Sequence, residues 1–596
     1  MRQVSAESVH GSWAWSPIAA DVANIWLLAL RSISGGALFG FDISSMSGVL
    51  GTQAYKRFFG YPTSFVQGAI TASMPAGSLT GALASSMMAD RLSRKKAVQV
   101  SCIFWIVGSV VQCTAQGVGM LCAGRAVAGL CVGMTSSIVP VYQAEIAPKG
   151  IRGRVVRRQK ATDKEPSYQQ WAITWGILIQ FFIQYGAAES ISGGPRDPNQ
   201  STNAFRIPWA VQMVPALGLF VGLFFCPHSP RWLASKDRWH EALVVLGALH
   251  EGTYGSATRD DGSRRMAIHD PRVRAQYQEI EDALRCNRED ADGSFAALGK
   301  GRMLRRVVLG ISIQAWSQLC GMNIMMCAFA LDTLCLASGL WSSTGFANSR
   351  ETDYIVYVME GAEIGSPLLT ASIQYIINVV LTTPAIFYLD KWGRRPSLIV
   401  GSFLMMTCLF TSGALQQYYG QPNTALTITE HNKAITWVVV GHRAASWGIV
   451  VLSYLFVATF ATTWGPTSWT YPAEIFPSRL RARAVSLCTA TNWLFNMVLA
   501  FAVPPLTYYI FGAINAAAFV HMYLTARETK GYTLEEMEEV FDGGRYAWQT
   551  KKAPASRLEG MASRIEAEAE STQQTHGPRE KGSMPCMALE TERVNT

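Results

Sequence analysis

The sequence predicts an all-α membrane protein with about twelve transmembrane helices in two six-helix halves. Three observations support this fold class: long apolar runs recur along the chain, charged residues are scarce, and two loop motifs occur once in each half. Of the 596 residues, 49% are hydrophobic and only 16% are charged, whereas an average soluble domain carries about 25% charged residues. A chain this apolar is not disordered, and its 12 cysteines are too sparse for a disulfide scaffold.

The apolar runs distinguish a membrane protein from a large α/β enzyme, which is the other class compatible with this composition. A spanning helix needs about 20 mostly apolar residues, and the run at 211–226 carries no charge. The runs are long and rich in Gly, Ala and aromatic residues, whereas an α/β protein alternates short β-branched runs with amphipathic helices. We therefore predict spans, numbered in chain order, at about 24–41, 65–88, 97–116, 119–143, 170–186, 207–226, 306–326, 367–389, 397–418, 447–470, 484–505 and 508–525.

Clusters of Lys and Arg predict the orientation of these spans. They lie in the loops between spans 2 and 3, 4 and 5, 8 and 9, and 10 and 11, so all four loops face one side of the membrane. The positive-inside rule assigns that side to the cytoplasm, and both termini are then cytoplasmic. The net charge of +9 thus reflects topology. A nucleic-acid partner is not expected, because no solvent-facing domain offers a basic stripe.

Two loop motifs recur in the same order in the two parts of the chain. The segment from Asp90 to Lys95 matches the segment from Asp390 to Arg395. An Ala-Glu-Ile-x-Pro motif at 144–148 recurs at 473–477, and a pair of arginines follows each copy. Such repetition indicates an internal repeat. Two parallel six-helix halves, related by an axis along the membrane normal, form the arrangement of the major facilitator fold.

The linker between the halves is polar and is expected to be cytoplasmic. One surface helix is predicted to begin near Ser235, and another at Pro271, because Asp270 before it is a good N-cap. The C-terminal tail has little to bury and is expected to be mostly disordered. The predicted organisation is a cytoplasmic tail at 1–22, a six-helix half at 23–226, a linker at 227–302, a six-helix half at 303–526 and a cytoplasmic tail at 527–596.

Seven groups of short motifs are spread over residues 24–542. They are Gly40-Phe41-Asp42 with Ser47-Gly48, Gly124-Arg125 with Gly129 and Gly133, Pro140 to Glu145, Pro227 to Leu233, Gln314 with Gln318 and Gly321-Met322-Asn323, Gly465 to Trp469, and Glu528 to Gly531. Together they resemble the sugar porter family of the major facilitator superfamily, above all the fungal hexose transporters. The resemblance implies a plasma-membrane transporter that moves a monosaccharide, a hexose such as glucose, by alternating access with proton symport.

Asp42 lies inside the first predicted span. An ionisable side chain there costs on the order of 2.5–3.5 kcal/mol on insertion scales, so it marks a functional site by default; a carboxylate in a wet vestibule is the alternative. The resemblance implies that Arg125 on span 4 holds Asp42 ionised, and that protonation of Asp42 releases the pair and lets the halves move. Asp42 and Arg125 are therefore the predicted proton-coupling residues.

A sugar presents hydroxyl groups and apolar ring faces, so its site needs neutral amides, which donate and accept at once, together with aromatic rings. A buried amide can instead hold helices together, and this alternative applies to each amide taken alone. Gly321 and the Gly465-Pro466 pair are expected to interrupt spans 7 and 10 and to serve gating. The resemblance implies a sugar site between the halves at Phe39, Gln170, Gln318, Asn323, Asn378, Trp469 and Asn492.

The repeated cytoplasmic motifs resemble a latch. The resemblance implies that Glu145 and Glu474 pair with basic loop residues and close the inner face in the outward-open state. An exposed ion pair contributes only about 0–1 kcal/mol, so a network is needed to bias the conformations. The expected latch residues are Asp90, Arg94, Glu145, Arg154, Asp390, Arg394, Glu474 and Arg483.

Some features depart from the family pattern. After Asn323 the expected helix resumes only at Tyr354, and we expect 327–353 to be an insertion, either a retained intron in the gene model or a true extracellular insert. A second charged insertion at 157–168 precedes span 5. His228 stands in place of the usual Glu, which alters part of the latch.

Several alternatives remain open within the membrane class. A facilitative uniporter, a polyol, pentose or quinate-type substrate, and a transporter-like sugar sensor are each compatible with the resemblance. An integral-membrane enzyme is disfavoured, because no nucleophile–base pair stands out and the nine His show no metal-ligand spacing. The expected partners are a small sugar, protons and the lipid bilayer, with no catalytic residue, no cofactor, no metal and no nucleic acid.

Overall fold

The computed structural model describes residues 25–46, 49, 52–146, 165–191, 199–254, 271–289, 295–299, 301–322, 367–419, 421–422, 437–438, 442–477, 480–501, 507–530, 541 and 547. Some predicted features lie outside these residues, namely the tail at 1–22, Arg154, Asn323, the insertion at 327–353, most of the insertion at 157–168 and most of the tail at 527–596. Asp390 is described for its backbone alone.

Helices dominate the described part of the chain, because a backbone surrounded by lipid must satisfy its polar groups internally. The N-terminal helices are α1 (Ile25–Ser44), α2 (Gln53–Phe58), α3 (Ser64–Leu92), α4 (Arg94–Cys113), α5 (Val118–Ile146), α6 (Glu165–Gly186), α7 (Asn203–Val211) and α8 (Met213–Phe224). The linker helices are α9 (Pro230–Ser235), α10 (Trp239–Tyr254) and α11 (Pro271–Glu289). The C-terminal helices are α12 (Gly301–Leu319), α13 (Pro367–Trp392), α14 (Arg394–Tyr419), α15 (Arg443–Thr462), α16 (Trp464–Ile475), α17 (Arg481–Phe501) and α18 (Thr507–Thr525).

Irregular elements are few in the described residues. A π-helical turn follows α6 at Ala187–Ile191, and a 3₁₀ turn precedes α12 at Phe295–Gly299. After α14, the short strands β1 (Gln421–Pro422) and β2 (Trp437–Val438) form an antiparallel pair.

Proline divides two of the predicted spans into two helices each. The span predicted at 207–226 consists of α7 and α8, and the span predicted at 447–470 consists of α15 and α16. A proline at position i cannot donate to the carbonyl of residue i−4, and its ring clashes with that carbonyl. Pro215 therefore ends α7 at Val211, and Pro466 ends α15 at Thr462. The break beside Gly465-Pro466 agrees with the interruption predicted there, and α12 likewise ends at Leu319, just before Gly321 at φ +95°.

Small residues let neighbouring N-terminal helices pack closely. A Cβ atom on Gly133 of α5 would overlap the Ser78 carbonyl oxygen of α3. A Cβ atom on Gly40 of α1 would likewise clash with the Ile173 carbonyl oxygen of α6. In membranes, helices associate through such close backbone approach. The contact between α1 and α6 places Asp42 and Gln170 on neighbouring helices.

The linker helices pack against the helical bundle through one apolar face. On α11, Val273 and Ile280 are buried, and Tyr277 stacks edge-on against Trp239 of α10 at 5.5 Å between ring centroids. Spacings of four and three residues bring these side chains to one side of the helix. Both predicted linker helices are therefore present, with α11 beginning at Pro271 as expected.

Five helical segments among the described residues are long and apolar enough to cross a membrane by length and composition. Their exposed surface carries many large apolar side chains, among them Val221, Phe224 and Val451. Such an exterior suits lipid and would be a liability in water. The five segments are Arg94–Cys113, Val118–Gln143, Asn203–Phe224, Arg394–Tyr419 and Ala444–Ile475.

Candidate functional site

Three aromatic rings join the N-terminal helices to the C-terminal helices at the centre of the bundle. Phe39 of α1 contacts Trp469 of α16 and Trp493 of α17, with ring centroids 5.7 and 5.0 Å apart. All three side chains are buried. Edge-on aromatic contacts of this kind leave ring faces available for stacking on another flat apolar group. Two of the three, Phe39 and Trp469, are positions predicted for the sugar site.

A chain of side-chain amides lies between α12 and α17. Gln318 Nε2 donates to Asn492 Oδ1 at 2.7 Å, and Asn496 Nδ2 donates to Gln318 Oε1 at 3.3 Å. Asn492 is 1% exposed, and its Nδ2 has no hydrogen-bond partner among the described residues. A buried amide nitrogen with unused N–H groups is suited to donate to a ligand oxygen, because an amide NH2 carries two donors.

Two further predicted sugar positions occupy helices on the other side of the bundle. Gln170 of α6 is buried, and a Cβ added to Gly465 of α16 would lie 3.3 Å from its Nε2 atom. Asn378 of α13 is also buried, and Thr382 one turn later donates to its backbone carbonyl at 2.6 Å. The structure thus brings Gln170 to the broken helix α16, and it pairs Gln318 with Asn492. It shows no direct contact from the Asn378 side chain to either group.

Three contact residues at this site were not predicted from the sequence. Trp493 Nε1 donates to Ser136 Oγ of α5 at 3.2 Å, which adds a hydrogen bond between N-terminal and C-terminal helices. Asn496 extends the amide chain by one helical turn from Asn492. The sequence contained one usable signal, since Trp493 is adjacent to Asn492 and Asn496 is four residues further along the same helix.

Asp42 and Arg125 are both buried, but they do not form a direct ion pair. Arg125 donates from Nε to the Ile70 carbonyl at 2.9 Å and from Nη1 to Ser45 Oγ at 3.3 Å. Ser45 Oγ in turn donates to the Asp42 backbone carbonyl at 2.8 Å. Asp42 is 3% exposed, and its Oδ2 atom has no hydrogen-bond partner in the described structure. Ser45, which was not predicted, therefore stands between the two predicted proton-coupling groups.

The first copy of the loop motif forms an ion-pair cluster. The Arg94 guanidinium contacts both carboxylate oxygens of Glu145 at 3.2 Å and reaches Asp90 Oδ1 at 3.4 Å. Ser229, at the N-cap of α9, donates its hydroxyl to Glu145 Oε2 at 2.5 Å. The cluster therefore ties the start of α4 to the end of α5 and to the linker.

The second copy of the motif forms a cluster with the same plan. Arg394 Nη2 contacts Glu474 Oε1 at 2.9 Å, and Thr529 donates its hydroxyl to Glu474 Oε2 at 2.6 Å. Glu528 adds a contact of its own, since its two carboxylate oxygens accept from the backbone N–H groups of Arg394 and Arg395 at 3.0 and 3.2 Å. A carboxylate at a helix N-terminus is stabilised there by the unpaired N–H groups and the helix dipole. Arg483 lies in the first turn of α17.

The two clusters differ at one pair of positions. In the first cluster Ser93, at φ +83°, is hydrogen-bonded through Oγ to His228 Nδ1 at 2.8 Å. In the second cluster the matching residues are Gly393, at φ +96°, and Glu528. A Cβ on Gly393 would lie 2.5 Å from Glu528 Oε2, so a carboxylate can sit against this loop only when the loop residue is glycine. The first cluster thus has His228 where the second has Glu528, and its loop has Ser93 where the second loop has Gly393.

We expect Gly393→Ser to destabilise the second cluster. The variant places a side chain at positive φ, which costs about 1–3 kcal/mol, and it pushes Glu528 away from the start of α14. Thermal unfolding of the detergent-purified protein should show a lower Tm. Ser93→Gly is the matched control at the equivalent loop, and its Tm should change much less. Equal shifts for the two variants would contradict this account.

His228 makes the first cluster sensitive to acid. Burial and the nearby Lys95, Lys96 and Arg238 lower the pKa of His228 from its usual 6.5 to about 4. The unfolded chain therefore binds a proton between these two values when the folded chain does not, and stability falls as pH decreases from about 6.5 to about 4. His228→Gln, which can keep a hydrogen bond to Ser93, should remove this part of the pH dependence of Tm. The exposed His240→Gln should leave the dependence as it is, and an unchanged profile for His228→Gln would refute the prediction.

The helical bundle, its apolar exterior and its buried amide and aromatic site define the class: a multi-pass membrane transporter of the major facilitator fold. The sequence model of the family described as "Sugar (and other) transporter" matches residues 28–541. The chain therefore belongs to the sugar transporter family and is a transporter rather than an enzyme. The predicted fold class and the predicted family are both confirmed.

Curated relatives and solved structures agree with this assignment. The chain is 52% identical to the MFS glucose transporter mfs1 of Aspergillus flavus, covering 91% of this chain and 94% of the relative. It is 36% identical to a high-affinity glucose transporter of Kluyveromyces lactis, covering 89% and 87%. The proton:xylose symporter XylE bound to 6-bromo-6-deoxy-D-glucose is 23% identical, with a TM-score of 0.65 over 87% of this chain and 99% of XylE. That likeness shows the shared fold.

Proposed function

We propose that this sugar transporter carries a hexose, with glucose as the first candidate, by alternating access between two six-helix halves. The observation that carries the proposal is the amide chain of Gln318, Asn492 and Asn496, together with the buried Phe39 and Trp469 rings on neighbouring helices. Amides match sugar hydroxyls, and aromatic rings match the apolar faces of a pyranose. The names of relatives that are 52% and 36% identical over most of their length support glucose as the substrate.

The remaining predicted sugar positions stay part of the proposal. Gln170 lies against helix α16, and Asn378 is a buried amide on α13. Asn323 lies outside the described residues, and its place in the site rests on the family resemblance alone. In this proposal the sugar breaks the Gln318–Asn492 hydrogen bond or inserts between the two amides. A sugar oxygen then accepts from Asn492 Nδ2, which has no partner among the described residues.

Proton coupling is the second part of the proposal and rests on Asp42. Its carboxylate is buried within the bundle with one unpartnered oxygen among the described residues, and intramembrane ionisable groups mark coupling sites by default. Ser45 connects the Asp42 backbone carbonyl to Arg125, and the Asp42 carboxylate interacts electrostatically with the same arginine. A change in the charge of Asp42 would therefore be felt by Arg125, which also holds the Ile70 carbonyl of α3. Helix α1 would thereby be coupled to α3 and α5.

The two ion-pair clusters are proposed to form the latch of the cytoplasmic face. Each joins helices within one half, so each stabilises the closed arrangement of its own half, and opening requires both carboxylates to lose partners. The proposed topology places both termini in the cytoplasm, the transporter in the plasma membrane, and the linker helices α9 to α11 beneath the bundle. Protease accessibility of N- and C-terminal tags in sealed cells tests this orientation.

Uptake of labelled glucose into proteoliposomes, with and without an inward proton gradient, tests the function. Gradient-driven accumulation is the expected result. No uptake under either condition would overturn the transport proposal. Uptake that is indifferent to the gradient would replace symport with facilitative uniport. Competition by xylose, a polyol or quinate at equal concentration would show whether a pentose, polyol or cyclic acid is preferred over glucose.

A further inference from the structure

Helical spacing places Gln143 on the same face of α5 as Ser136, which contacts a C-terminal helix. Ser136, seven residues earlier, accepts a hydrogen bond from Trp493 of α17. Residues seven apart lie on the same face of a packed helix, here two turns or about 10.5 Å along the axis. Gln143 is thus placed between this contact and Glu145, whose carboxylate belongs to the first latch cluster. We call the end of α5 at Glu145 the latch end.

The side chain of Gln143 is buried and has no hydrogen bond to any described residue. It is 1% exposed, and both its Nε2 and its Oε1 atoms have no partner in the part of the chain that the structure describes. An unsatisfied buried polar group costs free energy, because it gives up hydrogen bonds to water and gains none in the protein. A leucine or methionine would fill the same space without that cost. Packing in the conformation described here therefore does not explain why the residue is a glutamine.

Other buried glutamines of the N-terminal helices show what an amide does when it holds helices together. Gln184 Nε2 donates to the Ser44 carbonyl of α1 at 2.6 Å, and Gln212 Nε2 donates to Ser109 Oγ of α4 at 3.2 Å. Gln143 makes no such link. It resembles Asn492 of the proposed sugar site, whose Nδ2 is likewise buried and unpartnered among the described residues.

A second amide stands near the same end of the bundle. Gln169 precedes Gln170 on α6, is 2% exposed, and has an Oε1 atom without a partner in the described structure. Its backbone carbonyl lies against Gly36 of α1, where an added Cβ would be 2.5 Å away. Helices α5 and α6 therefore each carry a buried amide oxygen without a partner among the described residues, Gln143 near the end of α5 and Gln169 near the start of α6.

We propose that Gln143 forms hydrogen bonds with the sugar as the sugar leaves the transporter. On this exit path Gln143 lies between the central amide chain and the latch. The inference rests on the proposed sugar transport. When the latch opens, α5 separates from the C-terminal helices at the end that carries Glu145, and the Gln143 amide becomes accessible. It can then accept from one sugar hydroxyl and donate to another, so that the sugar leaves Gln318 and Asn492 for a second set of hydrogen bonds before it reaches water.

The test compares affinity on the two faces of the transporter. Gln143→Leu and Gln143→Met, which have similar volume and no hydrogen-bonding capacity, are expressed in cells without other glucose transporters. The KM for labelled glucose is measured in intact cells for the outer face and in inside-out vesicles for the inner face. We expect the inner-face KM to rise about fivefold, the equivalent of one hydrogen bond, while the outer-face KM stays within twofold and the Tm stays equal or rises.

A matched control separates this role from a structural one. Gln184→Leu removes an amide that is equally buried and is bonded to α1, so it should lower the Tm and leave the ratio of inner to outer KM unchanged. An unchanged KM ratio in both Gln143 variants would overturn the inference, and so would a lower Tm in both with parallel KM changes on the two faces. Failure of the proposed function is distinguishable, because the wild-type protein would then show no glucose uptake on either face.

Discussion

We expect Asp42→Asn to abolish accumulation of glucose against its gradient in proteoliposomes that have an inward proton gradient, while exchange of labelled for unlabelled glucose persists in part. Asparagine has nearly the same shape as aspartic acid but cannot take up or release the proton. The variant keeps the contacts of the Asp42 backbone carbonyl with Ser45, and through Ser45 the position of Arg125. It therefore removes the chemistry of coupling and leaves the packing of α1 in place.

The control for this variant is Asp282→Asn. Asp282 is exposed on linker helix α11, so the same chemical change there should leave accumulation as it is in the wild type. Accumulation that is unchanged in Asp42→Asn would show that another group carries the proton. Loss of exchange together with accumulation would show that Asp42 is needed for the structure or for sugar binding, which would also count against the coupling role.

Gln318→Leu is expected to have the largest effect on sugar affinity. Gln318 is the central member of the amide chain, because it donates to Asn492 and accepts from Asn496. Its loss removes a direct sugar contact and leaves the buried Asn492 Oδ1 and the half-buried Asn496 Nδ2 without this partner, and an unsatisfied buried group costs about 1–3 kcal/mol. We expect the KM for glucose to rise about 10- to 100-fold, with the protein still inserted in the membrane.

Asn515→Leu provides the contrasting case. Asn515 of α18 is fully buried, and its Nδ2 donates to the backbone carbonyls of Cys320 and Phe511, so its role is to join helices. Its replacement should lower the Tm and the amount of folded protein, and leave the KM of the surviving protein within about twofold. If Gln318→Leu behaved in the same way as Asn515→Leu, the amide chain would serve only to hold helices together, and the proposed sugar site would be wrong.

The positions of most helices could be predicted because the signal is local. A run of about 20 apolar residues specifies a spanning helix almost independently of the rest of the chain. The prediction missed one change in the backbone: Pro215 divides the span predicted at 207–226, although the apolar pattern continues across it, whereas the break beside Gly465-Pro466 was predicted. Proline alone does not locate such breaks, because Pro75, Pro140 and Pro384 lie inside helices that continue through them.

The candidate site could be predicted in its residue types more readily than in its contacts. Family resemblance selected Gln318 and Asn492, which the structure joins although they are 174 residues apart. It also suggested a direct pair of Asp42 with Arg125, whereas Ser45 lies between them. Ser136 and Trp493 escaped notice, because a serine on an apolar helix carries no distinguishing pattern until a partner helix is packed against it.

By itself, the sequence determined the helical membrane class and the repeated loop motifs, since these follow from composition and short-range spacing, and its resemblance to a known family suggested the residues of the proposed site. Only the tertiary structure decided which polar groups meet and which remain alone. It showed that Glu145 is held by Arg94 and Ser229, while Gln143 two residues earlier has no partner in the described chain. The physical reason is that adjacent residues on a helix point about 100° apart, so the rotation of each helix and the identity of its neighbours determine the environment of each side chain.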